Sequence, residues 1–424
     1  MRASLTLGTR SSIVVERCQV CAASELEPIL FLGFLPPVNQ MRAIGRLPQE
    51  QPGYPALWLR CPRCQLVQLG LIVDPKILFP PEYPYTSGTT KILRENFADL
   101  YRECLSLFDL GPKDLVVDIG SNDGTLLSNF APKHRVQGIE PTNTGNLANE
   151  RGIPTRIAFL SREVAEQVRS EQGAAKVVTA TNVFAHVEDV HGMVEAILRL
   201  MDEDGVFISE SHYLISLIET LQYDTIYHEH LRYYSLRSLR HLLEMHGLSL
   251  IHAKRIPTHG GSIRVYAARS GRYPMQAGAE AVLREEDRLG LDLEKFKAFK
   301  NGVLLSKLQL HALLSEIKGQ SKRIFGVGAP SRASTLINYV GLDDGILDCV
   351  VEVEGSLKIG QYMPGTLIPV VEESRLFEEQ PEYALLLSWH IADELMPKLI
   401  QKGYQGDFII PLPVPRILGG RRAN

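Results

Sequence analysis

From Leu115 to about Ser270 short apolar segments alternate with helical patterns: LVVDIG, VQGIE, a short stretch from Thr155 to Phe159, KVVTATNVF, GVFISES, then LSLIHAKRI and SIRVYAAR. Strands that alternate with helices predict a parallel sheet covered on both faces, the doubly wound α/β class. The first strand runs into a glycine-containing turn and residues that can start a helix, LVVDIGSNDGTLLSNF. Gly120 and Gly124 remove the side chains that would keep a ligand from the backbone N–H groups of such a turn. The spacing is neither the G-x-G-x-x-G of a dinucleotide fingerprint nor the G-K-[ST] ending of a P-loop, so no pyrophosphate cradle is predicted. The turn offers Asp118, Gly120, Asn122, Asp123 and Gly124 instead, and VQGIEP ends its strand on Glu140, where an acid can hold a ribose diol. Carboxylates suit a cationic ligand. A plain βα turn with an incidental acid is the competing reading.

This acid-x-Gly-x-x-x-Gly turn with an acid at the end of the second strand resembles the first motifs of the doubly wound S-adenosylmethionine-dependent methyltransferases. The resemblance implies a pocket for that cofactor shaped by Asp118, Gly120, Asn122 and Gly124, with Glu140 on the ribose and Asn182 near the methionine part. Tyr85 and Ser87, just before the first helix, are placed to cap it. The paired strands LSLIHAKRI and SIRVYAAR match the usual closure of these sheets.

The chain of 424 residues has room for two or three domains with real cores. Its 45 Lys and Arg against 49 Asp and Glu create no field to draw a polyanion, so nucleic acid is not an expected partner. No run approaches the ~18 apolar residues of a membrane span. The N-terminal MRASLTLGTRSSIVVER lacks an apolar core and a cleavage pattern, so it reads as a tail and a cytoplasmic location is expected. The expected assembly is a monomer or weak homodimer.

Six cysteines fall as Cys18/Cys21 and Cys61/Cys64 with Cys104 and Cys349 alone. Each C-x-x-C pair supplies two sulfurs from one tight turn, which predicts a tetrahedral four-thiolate zinc site with no open position for catalysis. Disulfides are the alternative, disfavoured because nothing marks secretion. The 39 residues between the pairs are broken by Pro36-Pro37, Pro52 and Pro55, and such short strands would depend on the metal for stability.

The densest chemical stretch is QYDTIYHEHLRYYS, with Tyr223, Tyr227, His228, Glu229, His230, Tyr233 and Tyr234. It follows the GVFISES strand, and so lies at the strand edge where doubly wound sheets bind ligands. An H-x-H pair puts its rings on opposite sides of a helix and lacks the i, i+4 spacing of H-E-x-x-H, which argues against a metal. Histidines satisfied by backbone carbonyls remain the bland alternative. His186 follows the fourth strand at the same edge with Thr181 and Asn182. THGGSIRV, with His259, reads as a turn into a strand. From Asp292 to Lys318 apolar positions recur at helical spacing and predict an amphipathic helix tying two domains. A second strand-turn-helix, KRIFGVGAPSRASTLINYV, opens another α/β layer, its Gly-x-Gly too short for a second dinucleotide.

Taken in order, the cysteine pairs, DIGSNDGTLL, GIEP, NVFAHVEDV, YHEH, HGGSIRV, GVGAPSRASTLINY and YMPGTLIPV resemble the three-domain sugar C-methyltransferases that act on nucleotide-linked 4-keto deoxysugars in antibiotic and surface-glycan pathways. Arg332 stands where many relatives carry Lys, and Glu352 and Glu354 stand where Asp is usual. The resemblance implies a tail over 1–17, a zinc-binding module over 18–82, a class I methyltransferase domain over 83–275, a helical linker over 276–320, a Rossmann-like domain over 321–416, and a tail over 417–424. It further implies that His230 is the base that takes the α-proton, with Tyr227 and His186 as donors to the enolate or a hydroxyl and Glu229 orienting His230 or binding a sugar hydroxyl. Tyr227, His230, His259 and Arg332 would line the acceptor site, with Arg332 available to a phosphate. An O- or N-methyltransferase of the same fold, and a zinc-ribbon scaffold with an inactive methyltransferase fold, are the alternatives.

Overall fold

The structure, a computed structural model, describes residues 11–79 and 91–420. The run LVVDI at Leu115–Ile119 is buried along its whole length, as a strand covered by helices on both faces must be. It sits inside a sheet of seven strands ordered Leu248–Ile256, Ser262–Arg269, Met201–His212, Ala175–Thr181, Leu115–Ile119, Arg135–Glu140, Thr155–Ile157. Pairing is parallel from Thr155–Ile157 across to Met201–His212. Ser262–Arg269 then runs antiparallel to Met201–His212 and to Leu248–Ile256, the closing pair the sequence predicts. All turns that leave the parallel strands therefore open at one edge.

Local chemistry sets the covering helices. Ser161 accepts the Val164 N–H at 3.2 Å to start Arg162–Gln172, which Gly173 ends with φ near 88°. Asp189 caps Val190–Leu200 by accepting from Gly192 N–H at 2.9 Å. One expectation changes: after the glycine turn only a single 3₁₀ turn forms, Leu127–Asn129. Pro132 follows closely and has no N–H with which to continue a helix.

The N-terminal module is an antiparallel sheet of Glu27–Leu35, Tyr54–Arg60 and Val67–Leu69 around a fully buried Trp58. Its fourth strand comes from elsewhere: Arg232–Tyr233, just past the YHEH run, pairs with Gln68 and Val67. The predicted amphipathic helix is Leu293–Gly319, started by Asp292, which accepts from Lys295 N–H at 2.9 Å. Its Phe299 stacks on Trp58 at 5.8 Å, so the helix is anchored on the zinc module. Not every apolar residue of the run is covered: Leu293 and Leu304 lie exposed.

The C-terminal sheet is ordered Val370–Glu372, Cys349–Glu352, Ile324–Val327, Tyr383–Leu386, Asp407–Ile410, Arg416–Leu418. In chain order that is 3-2-1-4-5-6, the order of dinucleotide-binding folds, with the last strand antiparallel. No helix among the described residues is long and apolar enough to cross a membrane.

Candidate active site

The two cysteine knuckles fold alike. In each the first cysteine takes part in a tight backbone turn, Ala22 N–H to Cys18 O and Gln65 N–H to Cys61 O, both 3.0 Å. Ala22 and Gln65 adopt φ near 56° and 61° to close these turns. The four sulfurs lie within 4.8 Å of one another, with Cys18 to Cys64 at 3.4 Å and Cys21 to Cys61 at 3.5 Å. Zn–S bonds of about 2.3 Å need a sulfur tetrahedron with edges of about 3.8 Å, so the donor set fits zinc. Cys104 and Cys349 are buried apart from it.

At the open edge of the central sheet, Gly120 adopts φ near 69°, and a Cβ there would meet Val183 Cγ2 at 2.3 Å. The turn is thus closed to any residue but glycine. Glu140 stands where the sequence places it, buried, accepting from Asn122 N–H at 3.0 Å and from Thr142 N–H at 2.9 Å. The acid therefore pins the turn. Asn182, at φ near 58°, leaves its buried Oδ1 without a partner, as a cofactor contact would require. Asp118, on the strand that leads into the turn, is buried, accepts from Thr179 Oγ1 at 2.6 Å on the neighbouring strand, and burial pushes its pKa up to about 7. Tyr85 and Ser87 lie outside the described residues. This glycine-lined turn and orphaned amide fit S-adenosylmethionine.

The YHEH run is gripped from three sides. His228 donates from Nε2 to Pro55 O at 3.2 Å, and Asn39 Nδ2 donates to Glu229 Oε1 at 2.7 Å, both from the zinc module. Leu231 N–H reaches Ala185 O at 2.8 Å, and Leu69 N–H reaches Leu231 O at 3.0 Å. From the C-terminal domain, Arg332 clasps Asp224 through Nε and Nη2, each at 2.8 Å, and Trp389 Nε1 donates to the same carboxylate at 2.8 Å. Arg332 is 5 % exposed and Asp224 fully buried. This corrects the expectation of an arginine open to phosphate: the guanidinium is held bidentately and shielded by the Trp389 ring, 4.9 Å away. The three groups occupy the C-terminal edge of that sheet, where a dinucleotide fold would take its ligand.

Within this frame His230, buried, lies 4.2 Å from Tyr227, 4.9 Å from His186 and 4.8 Å from His212, ring centre to ring centre. His259 follows at 5.5 Å from His212. His230 Nδ1 donates to Thr225 O at 2.9 Å, which fixes the tautomer and leaves Nε2 with its lone pair. His186 Nδ1 donates likewise to Glu229 O at 2.6 Å. Burial first, and then its histidine neighbours, hold the His230 pKa well below the usual value, so the ring is neutral. Burial raises the Tyr227 hydroxyl well above its usual range and keeps it a donor. The five residues come from four separate segments at one edge. Sequence reasoning missed His212, the last residue of Met201–His212; its one signal is position, directly after the predicted GVFISES strand.

Burial also lowers His186, His228 and His259 to about 4. Such imidazoles bind fewer protons folded than unfolded, where the pKa is about 6.5. Stability is therefore complete above pH 6.5 and lost as pH falls toward 4, by on the order of 1 kcal/mol per imidazole per pH unit. Thermal melts at about pH 7.5 and about pH 5.5 are expected to show a clear drop in midpoint; equal midpoints would mean that these rings are hydrated.

The glycine turn at Gly120 and the buried histidine cluster lie at the same strand edge of a doubly wound sheet, and the class is that of S-adenosylmethionine-dependent methyltransferases. Residues 18–79 match the family model of a zinc binding domain, 91–253 a methyltransferase domain, and 257–413 a C-methyltransferase C-terminal domain. C-methyltransferase NovU of Streptomyces niveus is 30% identical over 411 residues, spanning 95% of this chain and 97% of NovU. The chain belongs to this family: it is a zinc-binding, S-adenosylmethionine-dependent C-methyltransferase. Among solved structures it is similar to the magnesium protoporphyrin IX methyltransferase ChlM of Synechocystis PCC 6803 with bound SAM, at 18% identity and TM-score 0.33 over 42% of this chain and 79% of ChlM. The geranyl diphosphate C-methyltransferase of Streptomyces coelicolor A3(2) shows 13% identity and TM-score 0.33 over the same shares. Likenesses this distant add nothing to the assignment.

Proposed function

We propose that the acceptor is a nucleotide-linked 4-keto deoxysugar, methylated at the carbon next to its ketone, with His230 as the base. The observation that carries this reading is the His230 ring, neutral, with its Nδ1–H spent on Thr225 O, beside a protonated Tyr227. A ring carbon becomes a nucleophile only when its α-proton is removed and the carbonyl oxygen is stabilised as charge develops on it. His230 Nε2 takes that proton. The C–H electron pair moves to form the enolate, and the Tyr227 hydroxyl donates to its oxygen. S-adenosylmethionine supplies the methyl group as the electrophile. The α-carbon would bond to the methyl carbon as the methyl–sulfur bond breaks with its electron pair left on sulfur, giving S-adenosylhomocysteine, and the proton stays on His230 Nε2 until it is lost to water. Glu229, held by Asn39, is placed to bind a sugar hydroxyl.

Incubation with a 4-keto sugar nucleotide and methyl-labelled S-adenosylmethionine is expected to give a product whose label resonates as a C-methyl. Label in an O- or N-methyl would replace this reading with heteroatom transfer. For the cofactor, Glu140→Ala is expected to cost ~1.5–3 kcal/mol of S-adenosylmethionine binding as hydrogen bonds to a charged group are lost. Unchanged affinity by calorimetry would move the ribose contact elsewhere.

A further inference from the structure

The carbonyl that accepts from His230 is itself held by the C-terminal domain. Thr225 O takes His230 Nδ1 at 2.9 Å and the Tyr233 hydroxyl at 3.3 Å. Thr225 ends a lone 3₁₀ turn, Tyr223–Thr225, closed by Thr225 N–H to Gln222 O at 3.1 Å and Ile226 N–H to Tyr223 O at 3.0 Å. A turn this short has little cohesion of its own and takes its position from what grips it.

What grips it is Arg332. Asp224, the middle residue of the turn, has its carboxylate filled by Arg332 and Trp389, and among the described residues Arg332 is the one cation paired with it. The same Arg332 Nη2 donates to Gln222 Oε1 at 3.1 Å, and Gln222 Nε2 donates in turn to Gly260 O at 2.6 Å, in the turn that carries His259. Farther along helix Ser331–Val340, Thr335 Oγ1 lies 3.5 Å from Ile226 O. Residues 222, 224 and 226 are thus tied to one helix of the C-terminal domain, while Thr225 between them turns its carbonyl to His230.

The place of that carbonyl decides whether the ring is a base. A neutral imidazole carries its proton on either nitrogen, and the hydrogen bond made by one nitrogen fixes the state of the other. With Thr225 O in reach the proton sits on Nδ1 and Nε2 keeps its lone pair. With the carbonyl displaced the proton is free to sit on Nε2, and such a ring takes no proton there. We infer that Arg332 is a positioning residue for His230: through Asp224 and the Thr225 carbonyl it sets the tautomer and the aim of the base, which is competent only with the C-terminal domain docked. The planar guanidinium serves both carboxylate oxygens and Gln222 at once, a fork that an ammonium lacks. This rests on the reading of His230 as the base.

The test uses the zinc-loaded full chain with isotope-labelled histidine and S-adenosylhomocysteine bound. Long-range proton–nitrogen NMR, with the His230 signal assigned by its loss in His230→Asn, reads the tautomer without turnover. Wild type is expected to carry the proton on Nδ1. Arg332→Gln strands a buried carboxylate, which is strongly destabilising, so the double variant Arg332→Gln/Asp224→Asn is measured beside it, and unchanged S-adenosylhomocysteine affinity reports an intact fold. Both are expected to show His230 as a mixture of tautomers and to slow single-turnover methyl transfer by about 10²-fold, the cost of a misplacement of about 1 Å, with KM for the sugar little changed. Arg332→Lys should fall between them and wild type. A folded double variant that keeps the proton on Nδ1 overturns the inference whatever its rate, and so does a wild type with the proton on Nε2. If the tautomer shifts as expected but His230→Asn transfers methyl at the wild-type rate, the reading of His230 as the base fails while the hold of Arg332 on the ring stands.

Discussion

Replacing His230 by asparagine is expected to lower kcat by about 10²–10⁴-fold, the range of a lost general base, with S-adenosylmethionine affinity unchanged. Asparagine keeps a donor for Thr225 O, which His230 Nδ1 reaches at 2.9 Å, but has no basic nitrogen. The neighbours do not replace it. His186 has its Nδ1–H committed to Glu229 O, and Tyr227 is held protonated by burial. His186 shares the fixed tautomer, but it is His230 that stands between Tyr227, His186 and His212. Single-turnover kinetics separate the chemical step from binding. A variant within a few fold of wild type would transfer the role of base to His186 or His212.

Loss of zinc is expected to abolish turnover through the same loop. Structural four-thiolate sites contribute about 10–16 kcal/mol of apparent binding free energy to folding, more than the net stability of most domains, about 5–15 kcal/mol. The second knuckle, Cys61 to Cys64, leads directly into Val67–Leu69, and this strand pairs with Arg232 and Tyr233. Tyr233 packs against Trp58 at 4.6 Å and lies 6.2 Å from His230. A module that unfolds therefore releases the segment that follows His230, and with it the Asn39 hold on Glu229. In Cys61→Ser, or after chelation, amide exchange should rise together in the peptides around Val67–Leu69 and Arg232–Tyr233, and activity should fall with metal content. The cofactor turn at Gly120 is built within the central sheet and should still bind S-adenosylmethionine. Full activity in a metal-free chain would show that the loop stands without the module.

Much of this architecture is local and therefore legible in the sequence. Strand runs such as LVVDI, the two C-x-x-C pairs and the acid after VQGI each carry their signal within a few residues, because hydrophobic period, tight turns and strand ends are short-range properties. What the sequence hides is pairing at long range. Nothing in RYYS announces that Arg232 and Tyr233 complete a sheet begun at Glu27. Nothing in SRAS shows that Arg332 will meet Asp224, 108 residues earlier, and that partner changes its chemistry from phosphate handle to interdomain clasp. His212 is hidden for another reason: one histidine at a strand's end has no periodicity, and only the converging His186, His230 and His259 give it meaning. Asp118 reads as an acid beside the turn, and the sequence does not show that Thr179, 61 residues later, pairs with it across the strands.

The central claim is that His230 forms a carbanion equivalent next to a ketone before any methyl moves. Incubating a 4-keto sugar nucleotide in deuterated water with the enzyme and S-adenosylhomocysteine, which cannot donate a methyl group, tests it directly by NMR. Wild type is expected to exchange the α-hydrogen for deuterium, and the His230→Asn variant is expected to leave it in place. Retention of the α-hydrogen by wild type, on a sugar that it methylates when S-adenosylmethionine is supplied, would contradict the mechanism.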